Sequence, residues 1–276
     1  MPRVRGFVDT EPLRGYLAEV LHAVDGELTG INYNLDHDRL RAVALSTSSY
    51  STGRSVTWIQ GQPDVQGWDR PERSARRTTL TVEHVMASAA LPLFFPAVQL
   101  KDGWYGDGGI RLTAPLGPAL HLGARRIIAI STRYERTVAE ASEPVIHGYP
   151  PPAQVMGVLL NSVFLDLLDA DAARLELLNR LSAQLPEDKR CGVEPVKLLT
   201  LRPSVDLGRL ANDYEPRLPK AFRYLARSMG TKETRSPDFL SLILFQPDYL
   251  GALIEIGEAD ATARLDEITA FLSEDV

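Results

Sequence analysis

Four residues, Gly106-Asp107-Gly108-Gly109, constrain this chain more than anything else in it, because they set one carboxylate among three glycines. Glycine lets a backbone take positive φ and approach another surface closely, so such a loop can hold a single acid at a fixed point. The flanks say what the loop is attached to. Val82 to Ala89 has apolar residues at helical spacing and stops before Pro92, so it reads as a short packed helix. Leu93, Phe94 and Phe95 form a bulky run closed by Pro96. Val98 and Leu100 read as a strand, Lys101 to Gly103 as a turn, and Trp104 with Tyr105 as the returning strand. Beyond the loop, Pro115 to Leu122 carries a stripe suited to a helix, with Gly123 as its C-cap, and Arg126 to Ser131 holds a buried strand, IIAI. Hairpin, acid loop, helix and buried strand together describe one edge of an α/β domain.

The segments ASAALPLFFPAV, DGWYGDGG and LGPALHLGARRIIAIS follow one another across about fifty residues. They resemble the distal half of the patatin-like phospholipase domain, in which an S-A-x-x-P-x-x-F-P-x-V segment precedes a D-G-[GA] motif. The resemblance implies an α/β, patatin-like three-layer fold, truncated at the N-terminus, with a helical C-terminal extension. It also implies an acyl hydrolase acting on lipid or other fatty-acyl esters through a Ser-Asp dyad, with no His, no cofactor and no metal. The dyad acid, the proton acceptor, falls on Asp107, and Gly108 and Gly109 complete its motif.

The family's nucleophile lies in a G-x-S-x-G elbow behind a G-G-G-x-x-G loop, and neither pattern occurs in this sequence. Ser55 in GRSVT is the nearest imitation, but Thr57 replaces the second glycine and the segment leads into a strand-like VTWI, whereas an elbow turns from strand into helix. The reading is that the chain starts after the nucleophile helix, so the nucleophilic Ser is absent and the chain is expected to be inactive as given. Missing elements would also strip apolar cover from IIAI and from the helix over residues 9 to 24, leaving an exposed patch. Two other readings stand beside this one. A non-catalytic relative would bind lipid or a partner protein. A metal enzyme would use Asp102 and Asp107, and it ranks last because no His or third carboxylate stands nearby in sequence.

Charge and composition narrow the partners. A net charge of −6 argues against a general nucleic-acid surface. The single cysteine, Cys191, precludes an intrachain disulfide and fits a reducing compartment. No apolar run approaches the roughly 20 residues that span a bilayer, and the chain start is no signal peptide, so a cytoplasmic protein is the expectation. Arg70, Arg73, Arg76 and Arg77 are the basic cluster that, with Trp68, can offer peripheral membrane contact. A solvated loop is the plainer reading of them. Oligomeric state is left open.

Elsewhere the chain reads as ordinary elements. Pro12 opens an amphipathic helix capped by Asp9 or Thr10. GINYNL and LRAVALST read as a hairpin over Gly30 to Thr47, turning at Asp36, His37 and Asp38, which form a polar turn in preference to a metal site. Ser55 to Gln60 adds a strand. A boundary in the Pro- and Gly-rich stretch Glu143 to Pro152 divides residues 1–142 from a mainly helical 143–276. In the second part Gln154 to Leu185 is one long helix or two broken near Asp169 to Asp171, and 196–201 is a short strand. Two helices parted by Pro216 and Pro219 end at Gly230. Ser236 with Pro237 caps another helix, and Pro247 starts one more. This tail is similar to the helical C-terminus of a set of bacterial patatin-like proteins, which extends the resemblance from about Asp9 to about Leu272.

Overall fold

A computed structural model describes residues 6–144, 146, 148–190, 194–233 and 238–273. The readings made on the chain start, on Cys191 and on the cap at Ser236 and Pro237 lie outside the described residues. The chain forms two compact units, Met1–Gly123 and Ala124–Val276. The division falls ahead of the stretch at 143–152 that marks a boundary in the sequence.

In unit 1 the elements run α1 (Glu11–Val20), α2 (Thr29–Asp36), β1 (Ala42–Ser49), β2 (Ser55–Gly61), β3 (Asp69–Arg70), β4 (Arg73–Arg77), α3 (Val82–Ser88), β5 (Val98–Leu100), β6 (Gly103–Asp107) and α4 (Gly117–His121). The six strands make one sheet in the order β3-β4-β2-β1-β6-β5. It is a mixed sheet: β2 and β4 are parallel, while β1 is antiparallel to both β2 and β6. The alternation of β2 fills both of its faces. Val56 and Trp58 enter a core with Leu80, Val82, Met86, Val98 and Tyr105, and Ile59 packs on the other side with Val65 and Ala75. Trp58 donates its indole N–H to Thr47 Oγ1 at 2.9 Å, a buried bond within that core. Thr47→Val is therefore expected to lower stability by about 1 kcal/mol, since it leaves that N–H without its acceptor. Equal urea midpoints for wild type and variant would refute this.

Two segments differ from their sequence reading. GINYNL is the helix α2, not the first strand of a hairpin. Leu28 and Leu35 are buried and Ile31 packs against the core, a spacing of three and then four that only a helix puts on one side. Its end is still a polar turn, with His37 Nδ1 2.7 Å from the Tyr33 carbonyl and Asp38 at a φ of 53°. The arginine stretch is not a solvated loop but strands β3 and β4, with Ser74 and Ala75 buried between a half-buried Arg73 and an exposed Arg76. Arg76 pairs with Asp102, and Arg77 donates to the carbonyls of Gly61 and Gln62 at 3.0 and 2.9 Å. The face of α1 expected to lack cover is exposed: Tyr16 is 61 % and Val20 50 % accessible, and Leu17 and Ala18 alone turn toward the core.

In unit 2 the order is β7 (Arg126–Ile130), α5 (Val138–Ser142), α6 (Pro152–Phe164), α7 (Asp166–Ala183), β8 (Lys197–Leu201), α8 (Leu207–Tyr214), α9 (Lys220–Ser228), α10 (Asp238–Ile243), α11 (Pro247–Ala263) and α12 (Leu265–Ser273). The strand expected to join the edge that carries Asp107 instead pairs in parallel with β8, Arg126 opposite Lys197 through Ile130 opposite Leu201. Its burial is partial: Ile127 and Ala129 are covered, Ile130 is not. Leu240, Leu244, Tyr249, Ala211 and Ala226 form the helical core. The long helix breaks at Leu165, not near Asp169 to Asp171. Asp169 belongs to a helix start: with Asp166 it lies in the first turn of α7, where the dipole favours negative charge, and both hold Arg133. The sequence reading of membrane spans also changes. The stretch Pro152–Ala183 contains an 18-residue window apolar enough to cross a membrane by length and composition, because such a window tolerates the few polar residues that interrupt an apolar run.

Candidate active site

Asp107 ends strand β6, opposite Thr47 on β1, and begins a tight 3-10 turn over Gly108–Ile110. Its Oδ1 accepts the Gly109 N–H at 2.7 Å, and its own N–H donates to the Ala90 carbonyl at 3.0 Å. Ser48 Oγ donates to its main-chain carbonyl at 2.8 Å. Two of these bonds fix the residue by its main chain and one holds Oδ1, so a single carboxylate oxygen is left for other use. No second hydrogen bond reaches the carboxylate among the described residues.

The glycines serve close approach, not positive φ: among the described residues neither Gly106, Gly108 nor Gly109 has a left-handed φ. A Cβ on Gly108 would run into the Ser46 carbonyl, and one on Gly106 into the Tyr50 ring and hydroxyl. The Ser46 carbonyl also accepts Ser88 Oγ at 2.8 Å. Ser88 and Ala90, both from the ASAALP segment, therefore tie the end of α3 to β1 and to the acid loop. Between them and Pro96 sits Leu93, at a φ of 70° and 73 % exposed, a costly conformation for a leucine.

Burial holds the Asp107 carboxyl above the usual carboxylate range, against the smaller downward pull of the Gly109 hydrogen bond. Tyr50 lies beside it, half exposed, with its phenol pushed up by burial and by the facing Asp107 charge. Tyr50 was not among the residues that the sequence singled out. A half-buried, raised carboxylate with one oxygen unengaged is suited to accept a proton.

The other acids and hydroxyls do different work. Asp102 sits at the far end of β6, about 16 Å along the strand from Asp107 at the rise of an antiparallel strand. It accepts from Tyr105 at 2.8 Å and pairs with Arg76, so the two acids cannot share one ion. Ser55 is 4 % exposed and paired in mid-sheet with Ser48 and Arg73, far from any strand-to-helix turn. Ser46, Ser48 and Ser88 spend their hydroxyls on Thr57 and on backbone carbonyls. A cavity of about 1040 Å³ exists in unit 2, but its arginines are already committed, Arg133 and Arg202 to Asp169 and Arg136 to Asp206.

The model of the patatin-like phospholipase family matches residues 1–120. That segment is patatin-like. The match covers unit 1 almost to its last residue and includes the whole of the Asp107 loop; residues 121–276 lie outside it. No curated protein and no solved structure matches the chain. The patatin-like family is one of lipid acyl hydrolases, and the mixed α/β sheet of unit 1 accords with it. Within this patatin-like segment, among the described residues, the Asp-Gly-Gly motif brings together a carboxylate, a bonded main-chain N–H and a close-packed glycine.

Proposed function

We propose that this chain carries the acid half of a Ser-Asp dyad for hydrolysis of lipid acyl esters, with Asp107 as the general base, and that residues 1–276 alone do not turn over esters. The observation that carries the reading is the Asp107 carboxylate: half of it is held by the Gly109 N–H, half is open, and the loop around it is patatin-like. Its partner would be a serine on an elbow outside these residues. Asp107 would take that hydroxyl's proton as the oxygen attacks the ester carbonyl. The proton passes to the departing alcohol, leaving an acyl-serine; water then attacks the acyl carbon, giving its proton to Asp107, and the fatty acid leaves as the serine oxygen takes that proton back.

The 276-residue chain is accordingly expected to hydrolyse p-nitrophenyl butyrate no faster than its Asp107→Asn variant. Turnover that disappears in the variant would mean the chain holds a nucleophile of its own and would end the reading. Coding DNA upstream of Met1, read in all frames, supplies the second arm. A glycine-rich loop and a G-x-S-x-G elbow in frame make the restored chain the enzyme to assay, and their absence removes the hydrolase reading altogether.

A further inference from the structure

Between Pro216 and Lys232 the sequence holds Arg217, Lys220, Arg223, Arg227 and Lys232 and no Asp or Glu, in a chain whose net charge is −6. Helix α9 occupies the middle of this stretch. Ala226 is its one buried residue, while Tyr224 is 78 % exposed and Phe222 and Leu225 stand at its margins. Successive helical residues turn by about 100°, which places Lys220, Tyr224 and Arg227 side by side on the outer face.

The charges are not all equal. Arg217 pairs with Asp248, and Arg227 Nε bonds the buried Glu215 carboxylate at 2.8 Å, which fixes how α9 lies. Lys220, Arg223 and Lys232 have no carboxylate partner among the described residues. Arg223 reaches only the Pro216 carbonyl, at 2.7 Å. The helix end is joined to a second unusual surface: the Met229 carbonyl accepts the Ala153 N–H at 2.8 Å, at the first turn of α6. Helix α6 has no charged residue over Pro152–Phe164, and Val155, Val158 and Leu159, one stripe at helical spacing, are 47 to 56 % exposed.

We propose that α9 and the start of α6 form the surface by which this protein docks on an anionic lipid interface. Unpaired cations beside an amphipathic aromatic match phosphate and carboxylate head groups, and the uncharged α6 stripe matches the acyl boundary beneath them. A protein partner would not need the two surfaces to be respectively basic and charge-free. The acidic character of the remaining chain would repel the same membrane, which orients the approach through α9.

Sedimentation with vesicles tests this without any esterase readout. The 276-residue chain is expected to partition onto phosphatidylcholine vesicles containing 30 % phosphatidylserine at least tenfold better than onto phosphatidylcholine alone. That advantage should fall at least tenfold between 0.1 and 0.5 M NaCl. Lys220→Glu with Tyr224→Ser should abolish the advantage, and Val158→Ser with Leu159→Ser should weaken binding to both vesicles. All four positions are exposed, so unchanged circular dichroism and melting are expected. Equal binding to the two vesicle types, binding indifferent to salt, or no binding by the unaltered chain would each overturn the proposal. The salt and lipid comparisons need no variant.

Discussion

Asp107→Asn is expected to lower kcat for ester hydrolysis by about 10²- to 10⁴-fold in a chain that also carries the nucleophile segment, the range that a positioned proton acceptor contributes. The same substitution should leave unit 1 as stable at pH 7, or more so. The amide that replaces the carboxylate keeps an oxygen for the Gly109 N–H, so the turn loses little. What the substitution removes is a charge that burial disfavours. Because the folded carboxyl titrates above its ordinary value, the native state binds the extra proton in the window between the two. Stability therefore falls as pH rises through that window, and the cost is fully present above it. Melting curves should show the variant equal or ahead at pH 7, with the gap closing below the ordinary carboxylate range. A wild type that outlasts the variant at pH 7 and falls behind it in acid would mean Asp107 is a stabilising charge, not a base held ready. In the active chain the acid limb of kcat/KM should lie above the ordinary carboxylate value, because the base must be ionised.

Gly108→Ala should be the most damaging single methyl group in the sheet of unit 1. Its Cβ would meet the Ser46 carbonyl, which is main chain in the central strand β1 and is itself bonded by Ser88 Oγ. Nothing there can rotate away, so strands β1 and β6 must separate. The expected cost is about 1–3 kcal/mol or somewhat more, a fall of several degrees in melting temperature for a unit of this size. Gly106→Ala makes the informative contrast. Its Cβ meets the Tyr50 side chain, which is half exposed and can swing outward. Stability should change little, while Tyr50 leaves its place beside Asp107. If the two alanines cost the same, the distinction between a main-chain and a side-chain neighbour is wrong.

The sequence made the elements around Asp107 legible because their signals are local. Helix α3, the hairpin of β5 and β6, and the glycine at 123 in a left-handed conformation follow from spacing and turn chemistry within a few residues. The errors arose where a decision rests on distant partners. Ile31, Tyr33 and Leu35 alternate as a strand would, and only the burial of Leu28 and Leu35 on one side shows that the period is helical. Arg73 to Arg77 looks like a charged loop until β2 supplies a parallel neighbour. The strand IIAI reads as part of the acid's edge until β8, about seventy residues later, claims it. Tyr50 escaped notice for a similar reason: what matters about it is a glycine 56 positions away in sequence.

That dependence on distance bears on how the site comes into being. The pairing that places Asp107 joins it to Thr47, across about sixty residues that include four other strands and a helix. Closing so long a loop is entropically slow and is rewarded only after β1 and β2 have met. The hairpin of β5 and β6 can form early and alone, but it then carries its acid at an unattached end. The turn at Gly108 finds its seat against Ser46 when that last strand docks, so the Asp107 carboxylate is set in position by one of the late events of folding.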